Sequence, residues 1–120
     1  MCDPGRMIQL VCRFRADDDG FDERARAALA LLAAQPTCLR LLFARSTEDP
    51  AVRVLTAEFA SFPAYRSALS PFEVRTVVIP FLSEAEPATS SVLEVALHGV
   101  DGRLVELDTV VDPAAVSRVV

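Results

Sequence analysis

Glu58, Arg40 and Arg13 are the residues of this chain whose types and spacing could act on a small molecule. Each falls on a predicted strand where apolar and polar residues alternate. That alternation puts all three on one face, together with Gln9 and Thr56. In one reading the arginines hold an anionic or phenolate ligand and Glu58 takes a proton from it. In the other, the three charges form satisfied ion pairs between two subunits, because charge withdrawn from water must find a partner. Tyr65 is the sole tyrosine. It is either a core aromatic whose hydroxyl reaches a neighbour or a phenol that orients a substrate oxygen. His98, the sole imidazole, has no local set of cysteines or carboxylates, so it reads as an edge residue and not as a metal ligand.

Composition removes several kinds of chemistry. There is no Lys, Asn or Trp, which excludes a Schiff-base lysine, an asparagine amide and an indole from any site. Four glycines without a GxGxxG pattern argue against a nucleotide cofactor. Cys2, Cys12 and Cys38 are odd in number and form no CxxC; as small hydrophobes in or beside apolar strands they suit a core role. The net charge of −5, with no basic run, argues against nucleic acid as a partner. No apolar stretch approaches the length of a membrane span, and the first residues lack the charged-then-apolar order of a signal peptide. A cytoplasmic protein without membrane contact is the expectation. The hydrophobic fraction of 52% is high for 120 residues, which suggests that some apolar surface meets a second copy.

The elements that must position these residues follow from periodicity and punctuation. Met7 to Phe14 alternates as a half-buried strand, with Ile8, Leu10, Cys12 and Phe14 on one side. Asp17-Asp18-Asp19-Gly20 offers carboxylates to cap a helix from Phe21 to Gln35. Its inward stripe is Phe21, Ala25, Ala28, Leu29 and Leu32. Pro36 ends it. Cys38 to Arg45 and Val52 to Phe59 form a hairpin across Ser46-Thr-Glu-Asp-Pro50. Leu39, Leu41 and Phe43 share one face of the first strand, and Leu55, Ala57 and Phe59 share one face of the second. Ser61 caps a short helix carrying Phe62, Tyr65 and Leu69, and Ser70-Pro-Phe-Glu73 has the pattern of a capping box. Val74 to Leu82 is read as helix, although its Val and Ile content also suits a strand. Ser91 to Val100 and Arg103 to Val111 flank Asp101-Gly102, a strong hairpin signal, and Asp112-Pro113 starts a last helical turn. The order β-α-β-β-α-β defines one α+β domain over residues 1–120, with no repeat and no internal boundary.

With that order in place, the run Glu58-Phe59, Tyr65 and Ser70-Pro71-Phe72 resembles the antibiotic biosynthesis monooxygenase (ABM) superfamily. The resemblance covers about residues 7–97, and residues 98–120 look like an added C-terminal β-hairpin and tail. It implies a ferredoxin-like antiparallel sheet that pairs with a second copy into a dimeric α+β barrel. The cavity would lie between helices and sheet, and Arg13, Arg40 and Glu58 would face the partner's sheet. It further implies cofactor-independent oxidation of an aromatic, polyketide-type small molecule, without metal or flavin. Glu58, Tyr65 and Arg40 would be the catalytic residues, and Arg13, Phe59, Leu69 and Phe72 would bind substrate. The chain departs from the family where Phe59 stands for the strand-end tryptophan, and where Ser67 or Ala68 stands for the helix-end histidine. The haem-opening branch needs Asn, Trp and His together and cannot be assembled here. Two further expectations use the same cavity: a non-catalytic dimer that binds a small ligand or serves in assembly, and a polyketide cyclase.

Overall fold

The structure is a computed structural model describing residues 7–107. Four antiparallel strands form its sheet: β1 (Ile8–Arg15), β2 (Cys38–Arg45), β3 (Val52–Phe59) and β4 (Ser91–Glu94), in the spatial order β2-β3-β1-β4. The helix α1 (Phe21–Ala33) carries the chain from β1 over β3 to the edge strand β2. The helix α2 (Phe62–Ala68), a π turn (Val74–Val78) and the helix α3 (Ile79–Leu82) carry it from β3 to β4. This is the ferredoxin-like arrangement, with all helices on one side of the sheet.

Alternation explains why that side is buried. Ile8, Leu10, Cys12 and Phe14 of β1 and Leu55, Ala57 and Phe59 of β3 are at most 5% exposed. They meet the whole predicted stripe of α1, together with Val74, Val78 and Phe81. Phe14 anchors the core, stacked on Phe81 at 4.7 Å and in contact with Phe21 and Phe43 at 6.0 Å each. Burying such a cluster removes several hundred square ångströms of apolar surface from water and is the main stabilising term.

Several local expectations are corrected. The acidic triplet does not cap α1 through its side chains on helical N–H groups: Gly20 is the cap residue, and Asp18 accepts from the Gly20 N–H while gripping Arg24. Arg24 also reaches Glu84, so one guanidinium ties the start of α1 to the segment after α3. Ser61 does cap α2, accepting from Ala64 N–H at 3.1 Å. Ser70 does not complete a capping box, since its hydroxyl donates to the Ser67 carbonyl. Residues 74–82 are helical, as read. Pro80 does not end the helix, because it lies in the first turn of α3, where an absent N–H costs little.

A bulge between Cys38 and Arg40 shifts the register of β2. Leu39 therefore leaves the apolar face it was assigned and stands 49% exposed, while Cys38 packs on the core. The predicted strand from Ser91 to Val100 is two strands. β4 ends at Glu94, opposite Ile8, and the Met7 carbonyl takes one further bond from Val95 N–H. The chain then pairs with itself as β5 (Leu97–Val100) and β6 (Arg103–Glu106). Asp101 (φ 52°) and Gly102 (φ 76°) make the turn in the left-handed region that this dipeptide favours. The expected end of that hairpin and the turn at Asp112-Pro113 lie partly or wholly outside the described residues.

Candidate functional site

Tyr65 projects from α2 back onto the helix-covered side of the sheet. Its ring meets Phe59, the last residue of β3, edge-on at 5.4 Å and 70°, and Phe62 at 5.8 Å. Leu69, one turn on, packs half-buried against the same core. The hydroxyl of Tyr65 makes no hydrogen bond among the described residues. Burial, and secondarily the nearby Cys12, raise its pKa, so the phenol keeps its proton and is a donor. Burial also raises the Cys12 thiol, with a bond to Ser90 acting in the opposite direction, and leaves Cys12 a poor nucleophile. Cys38 is likewise raised by burial.

Glu58 and Arg40 lie on the opposite side of the sheet. Arg40 stands opposite Glu58 in the regular β2–β3 register, beside the bulge at Leu39, and the two join at 2.8 Å. Glu58 is mostly shielded between Arg40 and its other cross-strand neighbour, Gln9, with 15% of its side chain exposed. Arg13, two pairs further along β1, faces the same way and reaches Glu86 at 3.5 Å. The charged groups of this face thus close their pairs within one chain. Phe72 stands apart from both groups, 72% exposed at the start of the helical segment before the π turn. His98 lies half-buried on the outlying hairpin, opposite Val105.

The fold therefore brings together Phe59, Tyr65 and Leu69 on one side, and Arg40 with Glu58, flanked by Arg13, on the other. It does not bring Tyr65 and Glu58 to one point within a protomer, because the sheet separates them. Among the described residues no cluster of three or more His, Cys, Asp and Glu could hold a metal. No helix among them is long and apolar enough to cross a membrane.

A cleft of about 570 Å³ opens elsewhere, between α1 and the edge strand β2, and none of the seven candidate residues lines it. Its charged groups include Arg45 and Arg53, which occupy apolar-face positions of their strands, in line with Phe43 and Leu55. A charge that breaks the alternation on the core side is a signal visible in the sequence.

No protein-family model matches the chain, and no curated protein is similar enough in sequence to match. Solved structures do match. SnoaB of Streptomyces nogalater, described as a cofactor-independent oxygenase, superposes with a TM-score of 0.63 at 19% identity, over 82% of this chain and 99% of SnoaB. A Chloroflexus aurantiacus protein provisionally designated an antibiotic biosynthesis monooxygenase gives 0.59 at 23% identity, over 80% of this chain and 97% of its own. A Nitrosomonas europaea protein with the same provisional designation gives 0.59 at 14% identity, over 79% and 93%. The chain has the fold of the ABM superfamily, as the Glu58-to-Phe72 run implied.

Proposed function

We propose that this ABM-fold chain is a cofactor-independent monooxygenase-like protein acting on an aromatic, polyketide-type small molecule. The observation that carries the reading is the Tyr65 hydroxyl, protonated and without a partner among the described residues, on a ring held against Phe59. Its support in kind is the shared fold with an oxygenase described as needing no cofactor.

The chemistry asks little of the protein. An anthrone-type substrate has an acidic methylene between two aryl rings. Loss of one of its protons to solvent gives an enolate that can pass an electron to molecular oxygen. Overall, the methylene and one oxygen molecule become a carbonyl and one water. The phenol of Tyr65 donates to the substrate oxygen where enolate charge develops, which lowers the cost of that first step. Its raised pKa suits a donor, not a base. Leu69 supplies an apolar wall, and Phe59, fully buried, backs the Tyr65 ring. Arg40 and Glu58, behind the sheet, act in this reading as a positioning pair. They hold the bulged end of β2 against the end of β3 that carries Phe59.

The open face of the sheet is where we place a second copy of the chain. Leu42 and Leu93 are 52% and 44% exposed there, beside Val11 and Val54, and the charged neighbours are already paired. Such a face can be buried without stranding a charge.

Oxygen consumption with an anthrone-type substrate tests the reading. Uptake above the buffer rate that falls about tenfold or more in Tyr65→Phe supports it, in line with loss of one oxyanion donor. Uptake no faster than buffer rejects it. A second reading, binding without turnover, is favoured by one observation: the only carboxylate among the candidate residues, Glu58, is across the sheet from Tyr65. A thermal shift with aromatic ligands but no oxygen uptake would select that reading.

A further inference from the structure

We propose that the cleft between α1 and β2 is a second binding site, for a small amphipathic anion: a carboxylate carried on an apolar body. The site lies at the far end of the sheet from Tyr65. Arg53, on its wall, and Phe59 are six residues apart on β3, or roughly 20 Å. The inference is independent of the oxygenase reading.

The cleft exists because α1 is thin where it passes the edge strand. Ala25 and Ala30 on this face of the helix are too short to reach β2, and a volume of about 570 Å³ is left between them. That lies within the range of small-molecule sites. Leu29, Leu41 and Phe43 line it with apolar surface, and Phe43 continues inward to the aromatic cluster around Phe14.

Around this apolar lining stand Arg26, Arg45 and Arg53. Arg45 and Arg53 are directly opposite in the β2–β3 register, with side chains on the same face. Like charges in that relation destabilise a sheet. Among the described residues lining the cleft Asp22 is the one acid, and it is taken by Arg53 at 2.6 Å, which also donates to the Pro50 carbonyl at 2.7 Å. Arg53 is thereby held still, with 14% of its side chain exposed and its guanidinium over the Phe21 ring at 5.8 Å. Arg45 and Arg26 make no ion pair or hydrogen bond among the described residues. A chain of net charge −5 thus gathers three of its 12 arginines around one apolar cleft and leaves two of them unanswered. A carboxylate bound by Arg45 and Arg26 neutralises the like-charged pair, and its apolar body covers Leu41 and Phe43.

The test is calorimetric titration of the full chain with 2-naphthoate and decanoate, each beside its neutral alcohol. The carboxylates are expected to bind at least about tenfold more tightly than the alcohols, and the Arg26→Gln/Arg45→Gln double variant should erase that difference. The aryl and alkyl arms decide which apolar body fits. Both arginines are exposed, so the variant is expected to fold. Loss of the like-charge contact should raise the melting temperature of unliganded Arg45→Gln by about 1–4 °C. Tyr65→Phe should bind the carboxylates as the parent does, which separates this site from the proposed oxygenase site. Equal binding of acid and alcohol, or undiminished carboxylate binding by the double variant, overturns the proposal.

Discussion

The two faces of the four-stranded sheet are built from the same strands and end in different states. Under the helices, Ile8, Leu10, Cys12, Phe14, Leu55, Ala57 and Phe59 make one continuous apolar layer closed to water. On the other face, Val11, Leu42, Val54 and Leu93 are mixed with Gln9, Arg13, Thr56, Arg40 and Glu58, and much of the aliphatic surface stays open. Neither face is a simple solvent face. The covered one is finished within the chain. The open one has finished its electrostatics, through Arg40–Glu58 and Arg13–Glu86, but not its burial. Charge pairing and apolar burial are separate requirements, and this protomer meets the second on one side only.

The contrast breaks most severely at Phe14. Truncation to alanine should cost about 3–5 kcal/mol in denaturant unfolding, because the ring sits among Phe21, Phe43 and Phe81 with no exposed surface. A cost under about 1 kcal/mol would mean that the covered face is not the rigid one. On the open face, Leu42→Asp should leave stability within about 0.5 kcal/mol if the protomer stands alone. With a second copy on that face, the same change should weaken association by about 2 kcal/mol or more, read by sedimentation. A parent chain that sediments as a monomer at high concentration sinks the paired-sheet proposal.

Glu58→Gln should be milder, about 0.5–1 kcal/mol, since Arg40 keeps most of its surface in water. Chemical unfolding of Glu58→Gln, Arg40→Gln and the double variant would isolate the coupling between them. The smallest effect concerns pH. Arg24 holds the Asp18 carboxyl below its ordinary value of 3.8, chiefly through their hydrogen bond. A carboxyl depressed on folding contributes its full stabilisation above 3.8 and loses it as pH falls below that value. Asp18→Asn should therefore lower stability slightly at neutral pH, converge with the parent in acid, and so flatten the acid limb of the stability curve. A steeper acid limb in the variant would contradict the assignment.

Much of the architecture was legible from spacing. Period-two alternation identified both faces of β1 and β3, and the stripe of α1 was correct at all five positions. Asp101-Gly102 fixed a hairpin because a two-residue loop needs positive φ angles, which this dipeptide adopts at both positions. Two failures share a cause: the bulge at Leu39 and the end of β4 at Glu94 depend on a partner distant in sequence, whereas the Gly20 cap of α1 rests on local bonds to Asp18 and Arg24. Grouping the candidate site residues met the same limit. Alternation put Arg13, Arg40 and Glu58 on one face, and the strand register agrees for all three. Whether Tyr65 shares their side is decided by how α2 packs, which no spacing rule encodes.

By itself, then, the amino-acid order determined most of the strands and helices, which side of β1, β3 and α1 is apolar, and that the elements run β-α-β-β-α-β. Those are local matters of periodicity and turn chemistry. The tertiary structure alone decided that Glu58 joins Arg40 at 2.8 Å, that Tyr65 lies beyond the sheet from both, and that Arg45 confronts Arg53 above an apolar cleft. Register and helix packing set those distances, and both arise from contacts between segments far apart along the chain.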